Sequence, residues 1–259
     1  MDVEITPRNL RDLVTAFMRE YQVRPDIRNW WRAPLLVTAR ADERFDVLPA
    51  IAAENHLSPS DLLPGAETVI VFFLSFQQSL GRENDGGKFP CRNWALAYEA
   101  TNELIGLMAE QIAAYLVERG FKVAQTPATH NFDPEKLAAR WSHKHLAFVS
   151  GLGRFGINAQ MITPAGCAGR LGSLVTNAVI ADSPLVEEDE LCLYKRGEAC
   201  LKCVDRCPVQ AVEESGINRQ RCWDRLKFNR IHLDALAGMQ DSTHVCGKCV
   251  VDLPCSFTG

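Results

Sequence analysis

Two rhythms of apolar and polar positions run along this chain. From Pro7 to Tyr21, Leu10, Leu13, Val14, Phe17 and Met18 recur at spacings of three and four, which predicts an amphipathic helix. Residues 25–66 keep no regular rhythm and carry prolines at 25, 34, 49, 59 and 64. Within them, Asn29-Trp30-Trp31-Arg32 reads as a packing anchor for a loop rather than a ligand platform. Thr68–Ser75 is continuously apolar and rich in β-branched and aromatic residues, the signature of a strand buried on both faces. Ser79 to Pro90 is polar and glycine-bearing, and reads as a loop: a flap over a site, or a surface turn. Asn93 to Arg119 predicts the longest helix, with Leu104, Met108, Ile112 and Leu116 on one face and Gly120 as its stop. A strand at Phe121–Ala124, a helix over Lys136–Val149 and strands at 158–163 and 173–181 follow. This interleaving predicts an α+β first domain over residues 1–185. The acidic run Glu187–Glu190 then serves as a surface linker into a second domain, 186–259.

The pattern is interrupted by glycine. Gly151-Leu-Gly153-Arg-Phe-Gly156 fits G-x-G-x-x-G, but a dinucleotide fingerprint needs a strand before it and a helix after it. Here a helical pattern precedes and Ile157–Thr163 is strand-like, so that reading is set aside. Six glycines fall between Gly151 and Gly172. They form either a long loop of no special role or, as we favour, the lining of a cavity where backbone approaches a large flat ligand.

The first domain alone does not name a chemistry; the cysteines do. Eight of the ten lie between Cys192 and Cys255. Cys200-Leu-Lys-Cys203-Val-Asp-Arg-Cys207-Pro208 is the latter part of the ferredoxin run C-x2-C-x2-C-x3-C-P, whose last cysteine ligates the other of two clusters. Gly197 stands where the first cysteine of that run belongs, and Cys192 is the nearest replacement. The crossed arrangement of two-cluster ferredoxins assigns Cys192, Cys200, Cys203 and Cys255 to one 4Fe-4S cluster. It gives Cys207, Cys222, Cys246 and Cys249 to the other. A zinc site built from the pairs 200/203 and 246/249 leaves four cysteines unexplained. A disulfide framework requires an oxidising compartment, and eight buried thiols at ligand spacing are not ordinary core residues.

Charge and hydropathy narrow the partners. Net charge is −4 and 47% of residues are hydrophobic, which gives no overall attraction to nucleic acid or to an anionic membrane. The basic stretch Arg219, Arg221, Arg225, Lys227 and Arg230 reads as a solvated helix face. The start of the sequence carries no leader pattern, and no apolar run reaches the roughly 20 residues that span a bilayer. A cytoplasmic protein is expected, where thiols stay reduced and available to iron.

Gly151-Leu-Gly-Arg-Phe-Gly-Ile-Asn158, Met161-Ile-Thr-Pro164 and Gly172-Ser-Leu-Val-Thr176, followed by the double cysteine array, resemble the core of epoxyqueuosine reductases, which are relatives of reductive dehalogenases. The resemblance spans roughly residues 65–255. It implies a nitroreductase-like cobalamin-binding domain followed by a ferredoxin-like domain with two 4Fe-4S clusters. It also implies electrons passing from a low-potential donor of ferredoxin or flavodoxin type, through both clusters, to a corrinoid with its lower base displaced. The chain lacks the D-x-H-x-x-G pattern that supplies a histidine to cobalt elsewhere. The residues matching the corrinoid-contacting stretch are Gly153, Phe155, Gly156, Asn158, Thr163 and Gly172.

Two departures limit what is carried over. The sequence ends soon after Cys255, where epoxyqueuosine reductases continue into a helical repeat region that grips tRNA, so a tRNA substrate is not expected. The aspartate proposed as proton donor in that family aligns with Leu137, leaving Asp133, His143 and His145 as nearby substitutes. For the two histidines an ordinary exposed helix face is the favoured reading. Cys91 and Cys167 remain outside the cluster set; both are expected to be small buried side chains, with Cys167 placed to approach a cofactor. The resulting expectation is a cobalamin-dependent reductase acting on a small molecule or on another protein's corrinoid. A dicluster electron carrier and a flavin-dependent iron-sulfur reductase are the alternatives.

Overall fold

The computed structural model describes residues 4–25, 27–127, 129 and 132–258. Residues 1–3, part of the stretch read for a leader, lie outside the described residues. In chain order the elements begin with α1 (Pro7–Gln22), β1 (Leu35–Arg40), the short helices α2 (Leu48–Ile51) and α3 (Pro59–Leu62), and β2 (Thr68–Ser75). There follow α4 (Gln78–Glu83), α5 (Arg92–Val117), β3 (Val123–Gln125), β4 (Phe132–Asp133), β5 (Ala138–Ala139) and α6 (His143–Val149). The chain continues through β6 (Arg154–Phe155), β7 (Met161–Ile162), β8 (Gly169–Thr176), α7 (Lys202–Asp205), β9 (Val212–Glu213), β10 (Gly216–Ile217) and α8 (Arg219–His232). Among the described residues no helix is long and apolar enough to cross a membrane.

The chain divides into two compact units that are interleaved, rather than meeting at one cut at 185/186. The first takes Met1–Leu74, Glu103–Leu152 and Arg170–Val186; the second takes Ser75–Asn102, Gly153–Gly169 and Glu187–Gly259. Stretches 75–102 and 153–169, expected in the first domain, therefore pack with the cysteines.

The first unit is built on a four-stranded sheet of order β1-β2-β8-β3, with β1 antiparallel to β2 and β3 antiparallel to β8. All eight residues of β2 are buried, as its unbroken apolar pattern requires. The helix α1 starts on a capping box between Thr6 and Asn9 with Pro7 in its first turn, and buries Leu10, Val14, Met18 and Tyr21. Leu104, Met108, Ile112 and Leu116 of α5 have no solvent exposure, and Gly120, at φ +85°, closes that helix. Trp31 is buried and meets Tyr21 edge to face, so the aromatic pair is a packing anchor.

Three local expectations are corrected. The polar stretch after Ser79 is partly helical, because α4 lies within it. The helix expected from Lys136 begins only at His143; before it, Phe132–Ala139 forms a small hairpin whose turn is capped by Asp133. Proline 134 and the positive φ of Leu137 are incompatible with a continuous helix there. The strand β8 starts at Gly169 and not at 173, running through glycines read as loop. A Cβ on Gly172 would sit 2.3 Å from the ring of Phe72, so glycine lets that ring lie flat against the sheet.

Candidate functional site

The second unit holds all eight cysteines that the spacing singled out. Cys192, Cys200, Cys203 and Cys255 line one recess with Ile157, Ile162, Leu193, Leu253 and Pro254. The recess holds about 340 Å3 of unfilled space counted to its open mouth. Cys203 lies in α7, with Cys200 just before it and Cys207 just after. Glu190 accepts from the backbone N–H groups of Leu191 and Cys192, fixing the start of this array. Burial and the neighbouring sulfurs Cys255, Cys192 and Cys200 push the Cys203 thiol up to about 11.

The other group comprises Cys207, Cys222 on α8, Cys246 and Cys249. Burial pushes the Cys249 thiol well up, and charge on Cys246, Cys222 and Cys207 pushes it further in the same direction. Cys207 Sγ accepts from the Ala211 N–H at 3.1 Å. At Cys246, burial raises the pKa, while the backbone N–H of Lys248 and the charges of Arg225 and Lys248 favour the thiolate. The Cys246–Cys249 turn is clamped by a residue that spacing could not reveal. Asn84 is fully buried; its Nδ2 donates to Cys246 O at 3.0 Å and its Oδ1 accepts from Cys91 N–H at 3.0 Å. Gly247, at φ +76°, lies so close to the Trp94 indole that a Cβ would approach it to 2.4 Å.

Four thiolates brought together here would repel one another, and burial removes the water that would screen them. Among the described residues no three His, Cys, Asp or Glu side chains converge on a single metal-ion position. Cys192, Cys200, Cys203 and Cys255 instead line a recess. An all-sulfur set of four arranged in this way suits an iron-sulfur cube, in which each corner iron takes one thiolate. The residues present fit that group.

Cys167 is buried, and its thiol points at Cys255 with an S–S separation of 4.0 Å. This contact holds the Cys167 proton and lowers the pKa of Cys255. Backbone pairing supports it, with Cys167 N–H donating to Cys255 O at 2.8 Å and Ala168 N–H to Ser256 O at 3.1 Å. Gly166 permits the approach, since a Cβ there would meet Ser256 O at 2.3 Å. Cys91 is half-buried.

The residues matched to a corrinoid-contacting stretch have work inside the protein. A Cβ on Gly153 would lie 2.2 Å from Ile162 O, across the β6–β7 hairpin, and one on Gly156 would lie 2.6 Å from Asn158 Oδ1. Asn158 is buried, donating to Cys249 O at 2.6 Å and accepting from Gln160 N–H. Thr163 donates to Gly166 O at 2.8 Å and accepts from Ala165 N–H. Phe155 O accepts from Lys195 Nζ at 2.6 Å. Gly172 is filled by Phe72 in the first unit, as above. Gly153 and Gly172 thus allow backbone to approach protein, while Gly156 and Asn158 also line the recess of Cys192, Cys200, Cys203 and Cys255.

The proton-donor candidates also resolve into structural roles. Asp133 is exposed and accepts from the N–H groups of Glu135 and Lys136; hydrogen bonds from Lys136 and then Glu135 lower its pKa, so it is ionised at neutral pH. His143 is buried, not on an exposed helix face. Its Nε2–H donates to Pro127 O at 3.1 Å, and its Nδ1 accepts from Ser173 Oγ at 2.7 Å, while Ser173 Oγ accepts from Trp141 Nε1–H at 3.0 Å. This chain requires the neutral tautomer, and burial pulls the pKa down to about 4, so the expectation of a histidine titrating near neutrality is corrected. His145 is half-buried with Nδ1 2.7 Å from Ser142 Oγ. His56, unremarked in the sequence, donates from Nδ1 to Leu57 O and accepts from Ser142 N–H.

No family model matches the chain. It is 27% identical over 178 residues to an epoxyqueuosine reductase of Bacillus cereus, covering 65% of this chain and 42% of that relative, so the matched stretch is less than half the relative's length. A crystal structure of epoxyqueuosine reductase with an epoxyqueuosine-modified tRNA-Tyr stem loop superposes with a TM-score of 0.58 at 16% identity, over 96% of this chain and 66% of that one. A catabolic reductive dehalogenase in complex with 3-bromo-4-hydroxybenzoic acid gives 0.56 at 14% identity, over 83% of this chain and 28% of that one. The α+β fold of this chain is thus the epoxyqueuosine reductase fold, which it shares with reductive dehalogenases.

Proposed function

We propose that the chain is an iron-sulfur reductase of the epoxyqueuosine reductase type, with two 4Fe-4S clusters serving a cobalamin whose lower base is displaced. The observation that carries the reading is the gathering of eight cysteines within one compact unit, four of them lining one recess. When bound, such clusters accept and pass single electrons at low potential. The thiolates hold them; Ile157, Ile162, Leu193 and Leu253 keep water from the first; Asn84 and Lys248 hold the turn that carries two ligands of the second. A low-potential protein of ferredoxin or flavodoxin type is the donor this reading requires. The acceptor is a corrinoid acting on a small molecule, or the corrinoid of another protein.

No step is assigned through the corrinoid, because Gly153, Thr163 and Gly172 are taken up by contacts within the protein and Gly156 and Asn158 line the cysteine recess. That same observation favours a second reading, a dicluster electron carrier without corrinoid. Likeness to epoxyqueuosine reductase supports the first. A tRNA substrate is not part of the proposal, given a net charge of −4.

Anaerobic reconstitution followed by titration with cob(II)alamin tests both. About eight irons per chain with a saturable shift to the base-off absorbance spectrum supports the reductase. Full iron loading with no shift leaves the electron carrier, and a chain that holds no iron removes both.

A further inference from the structure

Lys248 sits between two ligands of the second group and is only 2% exposed. Its Nζ donates to two backbone carbonyls, Asn84 O at 2.5 Å and Gly86 O at 2.7 Å. Carbonyls satisfy its N–H groups but bring no charge. Asp85, between those two carbonyl residues, is paired with Arg206 instead. Arg206 also donates to Lys248 O, so the anchoring is rigid on both sides. Burial pulls the Lys248 pKa down, while charge on Cys246, Cys91 and Asp85 favours its ammonium; a buried ammonium is costly, and such groups are retained where further counter-charge is supplied.

The sulfurs on either side of Lys248 point to that counter-charge. A 4Fe-4S cube with four thiolates is a dianion, and taking one electron with no proton makes it a trianion. A buried cation nearby attracts the trianion more strongly than the dianion. We propose that Lys248 is the built-in counter-charge of the cluster held by Cys207, Cys222, Cys246 and Cys249, and that it raises that cluster's reduction potential. The inference rests on the iron-sulfur reading above. It assigns Lys248 an electrostatic role distinct from holding the turn, which its two hydrogen bonds also perform.

Lys248→Gln separates these roles, because the amide keeps N–H donors for the carbonyls and loses the charge; Lys248→Met loses both. The full chain is reconstituted, its iron counted, and each cluster followed by electron paramagnetic resonance during a dithionite titration. Cys203→Ser and Cys249→Ser provide the signal of each cluster alone. The expected result for Lys248→Gln is full iron content and, at a fixed potential, at least a tenfold smaller reduced fraction of the second cluster, or about 59 mV for one electron. The first cluster keeps its midpoint. An unchanged second midpoint in fully loaded Lys248→Gln overturns the inference and leaves the iron-sulfur reading intact. Loss of iron from both Lys248 variants also overturns it, assigning Lys248 to the turn alone. A wild-type chain that binds no iron overturns both.

Discussion

The polar interior around His143 and the cysteine groups of the second unit look alike in the sequence, since each is a set of reactive side chains near glycine-rich chain. In the structure they are opposites. His143 is neutral, and both ring nitrogens, the Ser173 hydroxyl and the Trp141 N–H complete one another's hydrogen bonding. Nothing further is needed there. The sulfurs are like groups crowded together, and burial drives the pKa values of Cys203 and Cys249 up. That difference teaches where a ligand belongs: the self-satisfied cluster is part of the scaffold, and the unsatisfied one is the site.

The largest effect expected from breaking this contrast is at the sulfurs. Cys203→Ser and Cys249→Ser should each lose about half of the bound iron, from different clusters. Iron analysis with resonance spectra of the single and double variants checks this, and loss of all iron from either one would mean that the groups are not independent. His143 should instead affect stability alone. Its folded pKa of about 4 lies below the usual histidine value of 6.5, so the unfolded chain takes the proton first. Its contribution is whole above pH 6.5 and is lost as pH falls toward about 4, amounting to about 3 kcal/mol. Urea unfolding across that window should show the loss, and His143→Gln should flatten the slope without changing iron content.

Asn84→Ala sharpens the contrast from the other side. It strands Cys246 O and Cys91 N–H in the interior, costing about 1–3 kcal/mol. Faster iron release from the second cluster under a chelator is the expected readout, with the first cluster unaffected. The smallest effect is expected at Cys167→Ala. Removing the S–H donor to Cys255 should lower the first cluster's midpoint by less than Lys248→Gln lowers the second, because a weak neutral donor replaces a full charge. The same dithionite titration measures both.

Much of the scaffold was legible because its signals are local. Leu10, Val14 and Met18 in α1, the unbroken apolar run of β2, and the Leu104–Leu116 stripe ended by Gly120 all report their own environment. The spacing of the cysteines likewise marked the stretch 192–255 as the candidate site. What was hidden depends on partners distant in sequence. Asn84 meets Cys246 across 162 positions, and no periodicity near Asn84 announces it. Gly153 and Gly172 were read as approaching a ligand, whereas Ile162 O and the Phe72 ring fill those spaces. Glycine reports that something comes close, but not what.

The clamp on the Cys246–Cys249 turn also sets a timetable for biosynthesis. Asn84 leaves the ribosome 162 residues ahead of Cys246, a delay on the order of ten seconds at ordinary elongation rates. Throughout that interval the earlier wall of the second unit has no cysteine turn to close upon, and the closing contacts are among the most non-local in the chain. On the iron-sulfur reading proposed above, the sulfurs would emerge into an unfinished shell that iron and sulfide can still reach. Closure behind them turns a loading problem into a retention problem, so a defect at Asn84 should resemble poor cluster maturation in cells even though every ligand is present.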